Sequence, residues 1–154
     1  MQARLKNPAM LLPDAMQPLQ TLAKTLMGGK VPARTLGLVH VRVSQINGCA
    51  VCLDLHHRQE KRAAEPDDRL LVVSAWRDAP FFSDAERAAL ALAEHETRIA
   101  DRDDPVPDHV WNEAARHYDE HALAQLVLYI ALVNVWNRAN VTTRQVAGPQ
   151  AWER

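Results

Sequence analysis

Val39-His40-Val41-Arg42-Val43-Ser44 is the stretch on which the fold turns. Apolar and polar residues alternate along it, which is the period-two pattern of a strand. The same segment also contributes to a second series, Leu36, Val39, Val43 and Ile46, which falls on one face of a helix. A strand here would run into Cys49-Ala-Val-Cys52 and set that motif at a strand-to-helix junction of an α/β sheet. A helix would make the whole chain all-α. Periodicity within the stretch does not choose, but the rest of the chain does, because no other convincing strand exists to complete a sheet. The expected fold class is therefore all-α, with the Cys-x-x-Cys at the start of a helix.

Working outward, Asn47-Gly48 breaks the chain, and a helix can restart through the cysteines to about Ala64. Upstream, Pro32 opens the segment from Ala33 to Ile46. A helix from about Met16 to Met27 stops at Gly28-Gly29, read as a C-terminal cap. Downstream, Glu65-Pro66-Asp67 marks a boundary before a short helix near Arg69 to Trp76. Ser83-Asp-Ala-Glu86 has the form of a capping box ahead of the helix-forming run Ala85 to Glu94. After the charged loop Asp101-Arg-Asp-Asp104, Asp108 can cap a helix to about Tyr118. Asp119 can cap the last one, where Leu123, Leu126, Val127 and Ile130 form a buried stripe. No repeat or low-complexity tract interrupts this, so one domain over residues 1–154 is expected.

Composition narrows the function. Hydrophobic residues make up 47% and charged residues 24%, ordinary for a globular domain. The 18 basic and 19 acidic residues nearly cancel, and no basic stripe suggests nucleic acid. Five glycines leave little for a phosphate-cradling loop. The run Ala9-Met-Leu-Leu-Pro13-Asp14 is too short and interrupted for a signal sequence. The most apolar later stretch, Leu126 to Val133, falls far below a membrane span. These features lead to the expectation of a cytoplasmic protein with no membrane and no nucleic-acid partner.

Only two cysteines occur, three positions apart. A disulfide closing so small a loop constrains little of the unfolded chain, so a structural cross-link is a weak reading. In a reducing compartment the pair is better read as redox-active or metal-binding. If the helix starts at Asn47 or Gly48, Cys49 lies in its first turn, where the helix dipole favours a thiolate. Cys52 is i+3 from Cys49 and His56 is i+4 from Cys52, so the three share a face. They supply a nucleophile, a resolving thiol and a base. Zinc would need a fourth ligand, and His57 points about 100° away from His56. No second cysteine pair exists to provide one, although His40, His95, His109, His117 or His121 could approach in space. Redox chemistry without metal or cofactor is the favoured expectation. His109, His117 and His121 read as surface residues, His95 as a solvated side chain, and His57 as the outer face of its helix. His40 precedes Cys49 by nine residues, and a turn between packed helices could bring it to the thiols.

Ser44-Gln-Ile-Asn-Gly-Cys-Ala-Val-Cys-Leu-Asp-Leu-His56 resembles the alkyl hydroperoxidase D family, within the carboxymuconolactone decarboxylase superfamily. The resemblance extends through Arg69, Ala75-Trp76-Arg77, Glu86-Arg-Ala-Ala-Leu90 and Asn134-Val-Trp-Asn-Arg138, covering most of the chain from Leu36 onward. It implies an all-α fold, trimers or hexamers, and thiol-dependent reduction of hydroperoxides, with an external dithiol restoring the enzyme. Cys52 would be the peroxidatic thiol, Cys49 its resolving partner, and His56 part of a proton relay. This conflicts with the dipole argument, which makes Cys49 the better thiolate. Two positions depart from the family pattern. A relay glutamate is common twelve residues before the first cysteine, and here Gly37 stands there. The histidine found between the cysteines in the best-characterised type is Val51. His40, almost one turn beyond Gly37, is a candidate substitute. The rival reading is a redox-sensing or zinc-binding helical module without turnover. The decarboxylase branch ranks last, since the cysteine pair has no evident part in lactone decarboxylation. Trp111, Trp136 and Trp152 add weak support for a homo-oligomer, as one small core need not absorb them all.

Overall fold

Val39–Ser44 is helical, and its alternation has a physical origin. The computed structural model describes residues 1–61 and 68–150. Its α-helices are α1 (Pro8–Leu11), α2 (Pro13–Met27), α3 (Ala33–Asn47), α4 (Ala50–Glu60), α5 (Asp84–Thr97), α6 (Asp108–His117) and α7 (Glu120–Thr142). Short 3₁₀ turns lie at Asp68–Leu71, Val73–Ala75 and Ile99–Asp101, and no strand occurs among the described residues. α3 packs against α4, α5 and α7 and is enclosed on more than one side. Leu36, Val39 and Val43 face the main core with α7 residues such as Leu126 and Ile130. Leu38 and Val41 face a second cluster built from Val73, Trp76, Phe82 and Leu90. Two apolar faces on one helix, offset by two residues, produce the strand-like pattern.

The punctuation works much as the sequence suggests. Ser83 Oγ accepts from Glu86 N–H while Glu86 accepts from Ser83 N–H, a complete capping box. Asp119 caps α7 by accepting from Ala122 N–H. α3 ends at Gly48, whose φ of 66° is left-handed and suits glycine. Gly28 ends α2 with φ −90°, so it needs no left-handed backbone. Gly29 is required instead for close approach, because a Cβ there would lie 2.4 Å from the Gln125 side chain. Gln125 is buried there, accepting from Val31 N–H and donating to Leu26 C=O, and so pins the α2–α3 link to α7.

Three expectations need correction. Asp108 is the first residue of α6 and Pro107 occupies the cap position, so proline's fixed φ rather than a carboxylate starts that helix. The short helix near Arg69 to Trp76 is two 3₁₀ turns. The extension of α4 to Ala64 and the boundary at Glu65-Pro66-Asp67 lie outside the described residues. α7 is also longer in apolar character than its eight-residue centre suggests. By length and composition alone Glu120–Thr142 could cross a membrane, but 56% of its most apolar window is buried inside the protein. Leu123, Leu126, Ile130 and Val133 pack into the core formed with α3 and α5, whereas Leu128, Val135 and Val141 are exposed.

Between the two apolar clusters lies a buried carboxylate. Glu94 on α5 is 4% exposed. It accepts from Arg42 Nε at 2.6 Å, Trp76 Nε1 at 2.9 Å and Arg77 Nη1 at 2.8 Å. Burial would raise the Glu94 pKa, but these donors outweigh it and hold the carboxyl below its ordinary range. His95 beside it is also not free in solvent: its Nδ1 lies 2.9 Å from Pro105 C=O and from Arg102 Nη1, tying the following loop to α5.

Candidate active site

Cys49 and Cys52 are joined in a disulfide, with Cα atoms 5.3 Å apart. The helix begins at Ala50, one residue later than a cysteine in the first turn requires. Cys49 is the cap itself: its backbone is extended, and its Sγ accepts from Cys52 N–H at 3.3 Å. Cys52 is the residue in the first turn. The dipole argument that favoured Cys49 therefore applies at least as well to Cys52. Both sulfurs are deeply set, with Cys49 1% and Cys52 4% exposed.

α7 supplies what the motif alone does not show. Asn137, wholly buried, donates from Nδ2 to Cys52 Sγ at 3.0 Å and to Ser44 Oγ at 3.1 Å. Its Oδ1 accepts from Asn47, so the amide can present only its N–H groups to the sulfur. Asn140 Nδ2 lies 3.5 Å from Cys52 Sγ and 3.9 Å from Cys49 Sγ. Its Oδ1 is held in turn by Asn7 Nδ2 at 3.0 Å. Asn134 completes the ladder, accepting from Asn47 and from Arg138. Amide donors aimed at a sulfur stabilise negative charge there, as they do for any developing anion. The sequence contained a signal for them. The apolar stripe Leu123, Leu126, Ile130 continues at helical spacing into Asn134 and Asn137, and a buried stripe that turns polar needs partners.

His40 and His56 are brought together. Their rings stack with centroids 5.1 Å apart and planes 18° from parallel. Burial, with His56 beside it, pushes the His40 pKa down to about 3, so its ring is neutral across the physiological range. Burial also lowers His56, and Glu60 on the same helix opposes that shift. A cavity of about 380 Å³ opens onto Cys52, His56 and His40 and is walled by Met16, Leu55 and Trp136. A second, of about 440 Å³, lies beyond the histidine pair and includes Gly37, Glu60 and Tyr129. The four residues singled out from sequence, Cys49, Cys52, His56 and His40, thus meet in one region, with Cys49 opening on its other side near Arg144. His57 is exposed, as are His109, His117 and His121. Among the described residues no three His, Cys, Asp or Glu side chains converge as a metal site.

Residues 13–95 match the carboxymuconolactone decarboxylase family. The uncharacterized protein YdfG of Bacillus subtilis (strain 168) is 35% identical over 131 residues, 85% of this chain and 88% of its own. A solved structure of an Agrobacterium tumefaciens protein of unknown function, suggested to be the antioxidant defence protein AhpD, has a TM-score of 0.86 at 26% identity. The match covers 97% of this chain and 100% of that one. The debrominase Bmp8 without ligand gives 0.76 at 23% identity over 88% of this chain and 72% of its own, a likeness of fold. With an all-helical fold and a Cys-x-x-Cys at a helix start, the chain belongs to the carboxymuconolactone decarboxylase family as an AhpD-like member.

Proposed function

We propose that the protein is a thiol-dependent peroxidase that reduces small organic hydroperoxides or H₂O₂ through a Cys49/Cys52 dithiol–disulfide cycle. The observation that carries this reading is the setting of Cys52. Its sulfur lies in the first turn of α4, receives amide N–H groups from Asn137 and Asn140, and shares a cavity with His56. Each of these favours the thiolate, the form that attacks a peroxide.

The chemistry follows in four steps. His56, directly or through water in the cavity, takes the Cys52 proton. The thiolate sulfur attacks the terminal peroxide oxygen, the O–O bond breaks, and the departing alkoxide or hydroxide leaves with a proton as alcohol or water. Cys52 is then a sulfenic acid. The Cys49 thiolate attacks that sulfur, the S–S bond forms, and hydroxide leaves and is protonated to water. An external dithiol reduces the disulfide by exchange and is itself oxidised. In the cell this cycle belongs in the reducing cytoplasm, and the working form is a homo-oligomer, a trimer or hexamer.

The test is a thiol count. Fully reduced protein treated with one equivalent of tert-butyl hydroperoxide should lose both thiols, and the chain should stay monomer-sized on a denaturing non-reducing gel. Added dithiol should restore them and sustain peroxide consumption. Thiols that survive peroxide because stoichiometric zinc holds them would contradict the proposal and favour the zinc-binding reading.

A further inference from the structure

Gly37 stands where resemblance to the family leads one to expect a relay glutamate, and the structure gives that position a target. A Cβ on Gly37 would lie 3.4 Å from His56 Nε2 and 3.5 Å from His56 Cε1. The same Nε2 is buried with no hydrogen-bond partner among the described residues. Glu60 Oε1 lies 3.7 Å from it. Glu60 follows His56 by four residues on α4, a spacing that returns a side chain to the same face one turn later. We propose that Glu60 is the relay carboxylate of this chain, serving His56 from its own helix in place of the group that Gly37 cannot supply from α3. The inference rests on the peroxidase reading.

At 3.7 Å the two groups are within ion-pair distance once His56 is protonated, and one water or a small rotamer change turns the contact into a hydrogen bond. His40 is the other candidate, and the geometry assigns it a different part. Its ring lies face to face with His56, so the nitrogens of the two rings do not point at one another. A buried ring held neutral down to about pH 3 cannot take up a proton near neutrality. The groups bordering the histidine cavities that carry or could carry charge are Arg34 and His40 from α3, Glu60 and Cys52 from α4, and Tyr129 from α7. Burial pushes the Tyr129 phenol up to about 12, so it stays neutral. Glu60 is the carboxylate of this set. It opposes the effect of burial on His56 and so stabilises the imidazolium that forms when His56 accepts the Cys52 proton.

The experiment is peroxide oxidation of the reduced protein by stopped flow from pH 5.5 to about 9.5, with Glu60→Gln, which keeps size and hydrogen bonding but removes the charge. Losing the carboxylate behind the base should remove only part of the general-base contribution, so the rate near pH 7 should fall about tenfold. The rising limb should move to higher pH, and the variant should converge on wild type once the thiol ionises unaided. Proton NMR of the reduced variant should show the His56 pKa lowered, which a merely structural role would not produce. Adding Gly37→Glu to Glu60→Gln should recover most of the rate, because both positions face the same nitrogen. A folded Glu60→Gln protein with the wild-type rate profile, or with an unchanged His56 pKa, overturns the inference. So does a folded double variant that stays as slow as the single one. If wild-type protein consumes no peroxide thiols at all, the peroxidase reading itself has failed. If His56→Ala is slow while Glu60→Gln is not, only the role of Glu60 has.

Discussion

Replacing His56 with alanine is expected to slow Cys52 oxidation at pH 7 by about 10²–10⁴-fold, the usual worth of general-base assistance. The imidazole shares a cavity with the Cys52 sulfur, and Glu60 opposes the lowering of its pKa by burial. His40, its stacked neighbour, is held neutral by burial and cannot take over. The defect should shrink as pH rises past about 9, where a thiol ionises without a base. The side chain of His56 is 13% exposed and its removal leaves space in an existing cavity, so the helical circular dichroism should persist. Stopped-flow oxidation against pH, with that folding control, is the measurement. His40→Ala should show a smaller kinetic defect, arising from a looser His56 ring rather than from a lost proton carrier.

Glu94→Ala is expected to cost about 3–5 kcal/mol of unfolding free energy, the usual penalty for leaving half of a buried ion pair. Arg42, with only 14% of its side chain exposed, would lose its carboxylate, and the Trp76 indole N–H would lose its acceptor. Arg77→Ala should cost far less, because that side chain is 55% exposed and its share of the bond is screened. Denaturant melts report both. Because the folded carboxyl titrates below its unfolded value, its stabilisation is present above the unfolded pKa and lost as pH falls through the folded one. Below about pH 4 the wild-type protein should therefore lose stability more steeply than Glu94→Ala.

How far these features could be foreseen varies with their physical range. Local signals were legible: the Ser83–Glu86 capping box, the Asp119 cap and the left-handed Gly48 each depend on a few adjacent residues. The Val39–Ser44 segment was decided only by the lack of partner strands, since α3 has apolar neighbours on two faces. The sequence placed Cys49, Cys52 and His56 on one face, and the structure gathers Cys52, His56 and His40 about one cavity while Cys49 opens onto another. The helix starts at Ala50 rather than at Asn47 or Gly48, which moves the dipole's benefit toward Cys52. The asparagine ladder is not foreseeable from the motif, because Asn137 and Asn140 stand 85 and 88 residues from the Cys52 sulfur they contact. Asn134 and Asn137 were seen as family-like residues without a role. His95 reads from sequence as a solvated side chain, yet its ring is tied to Pro105 and Arg102, and the neighbouring Glu94 meets Arg42, 52 residues away. Trp136 lines the site and Trp111 is exposed, whereas Trp152 lies outside the described residues.

The division of labour between the two sulfurs is tested most directly by single cysteine variants treated with peroxide and a sulfenic-acid trap. Cys49→Ser should react at close to the wild-type rate, once, and mass spectrometry should find one trapped oxygen adduct on Cys52. Cys52→Ser should keep its remaining thiol under the same conditions, since Cys49 lacks the close 3.0 Å Asn137 donor and opens away from the histidines. Rapid adduct formation on Cys49 in Cys52→Ser, with Cys49→Ser inert, would contradict the assignment of Cys52 as the attacking thiol.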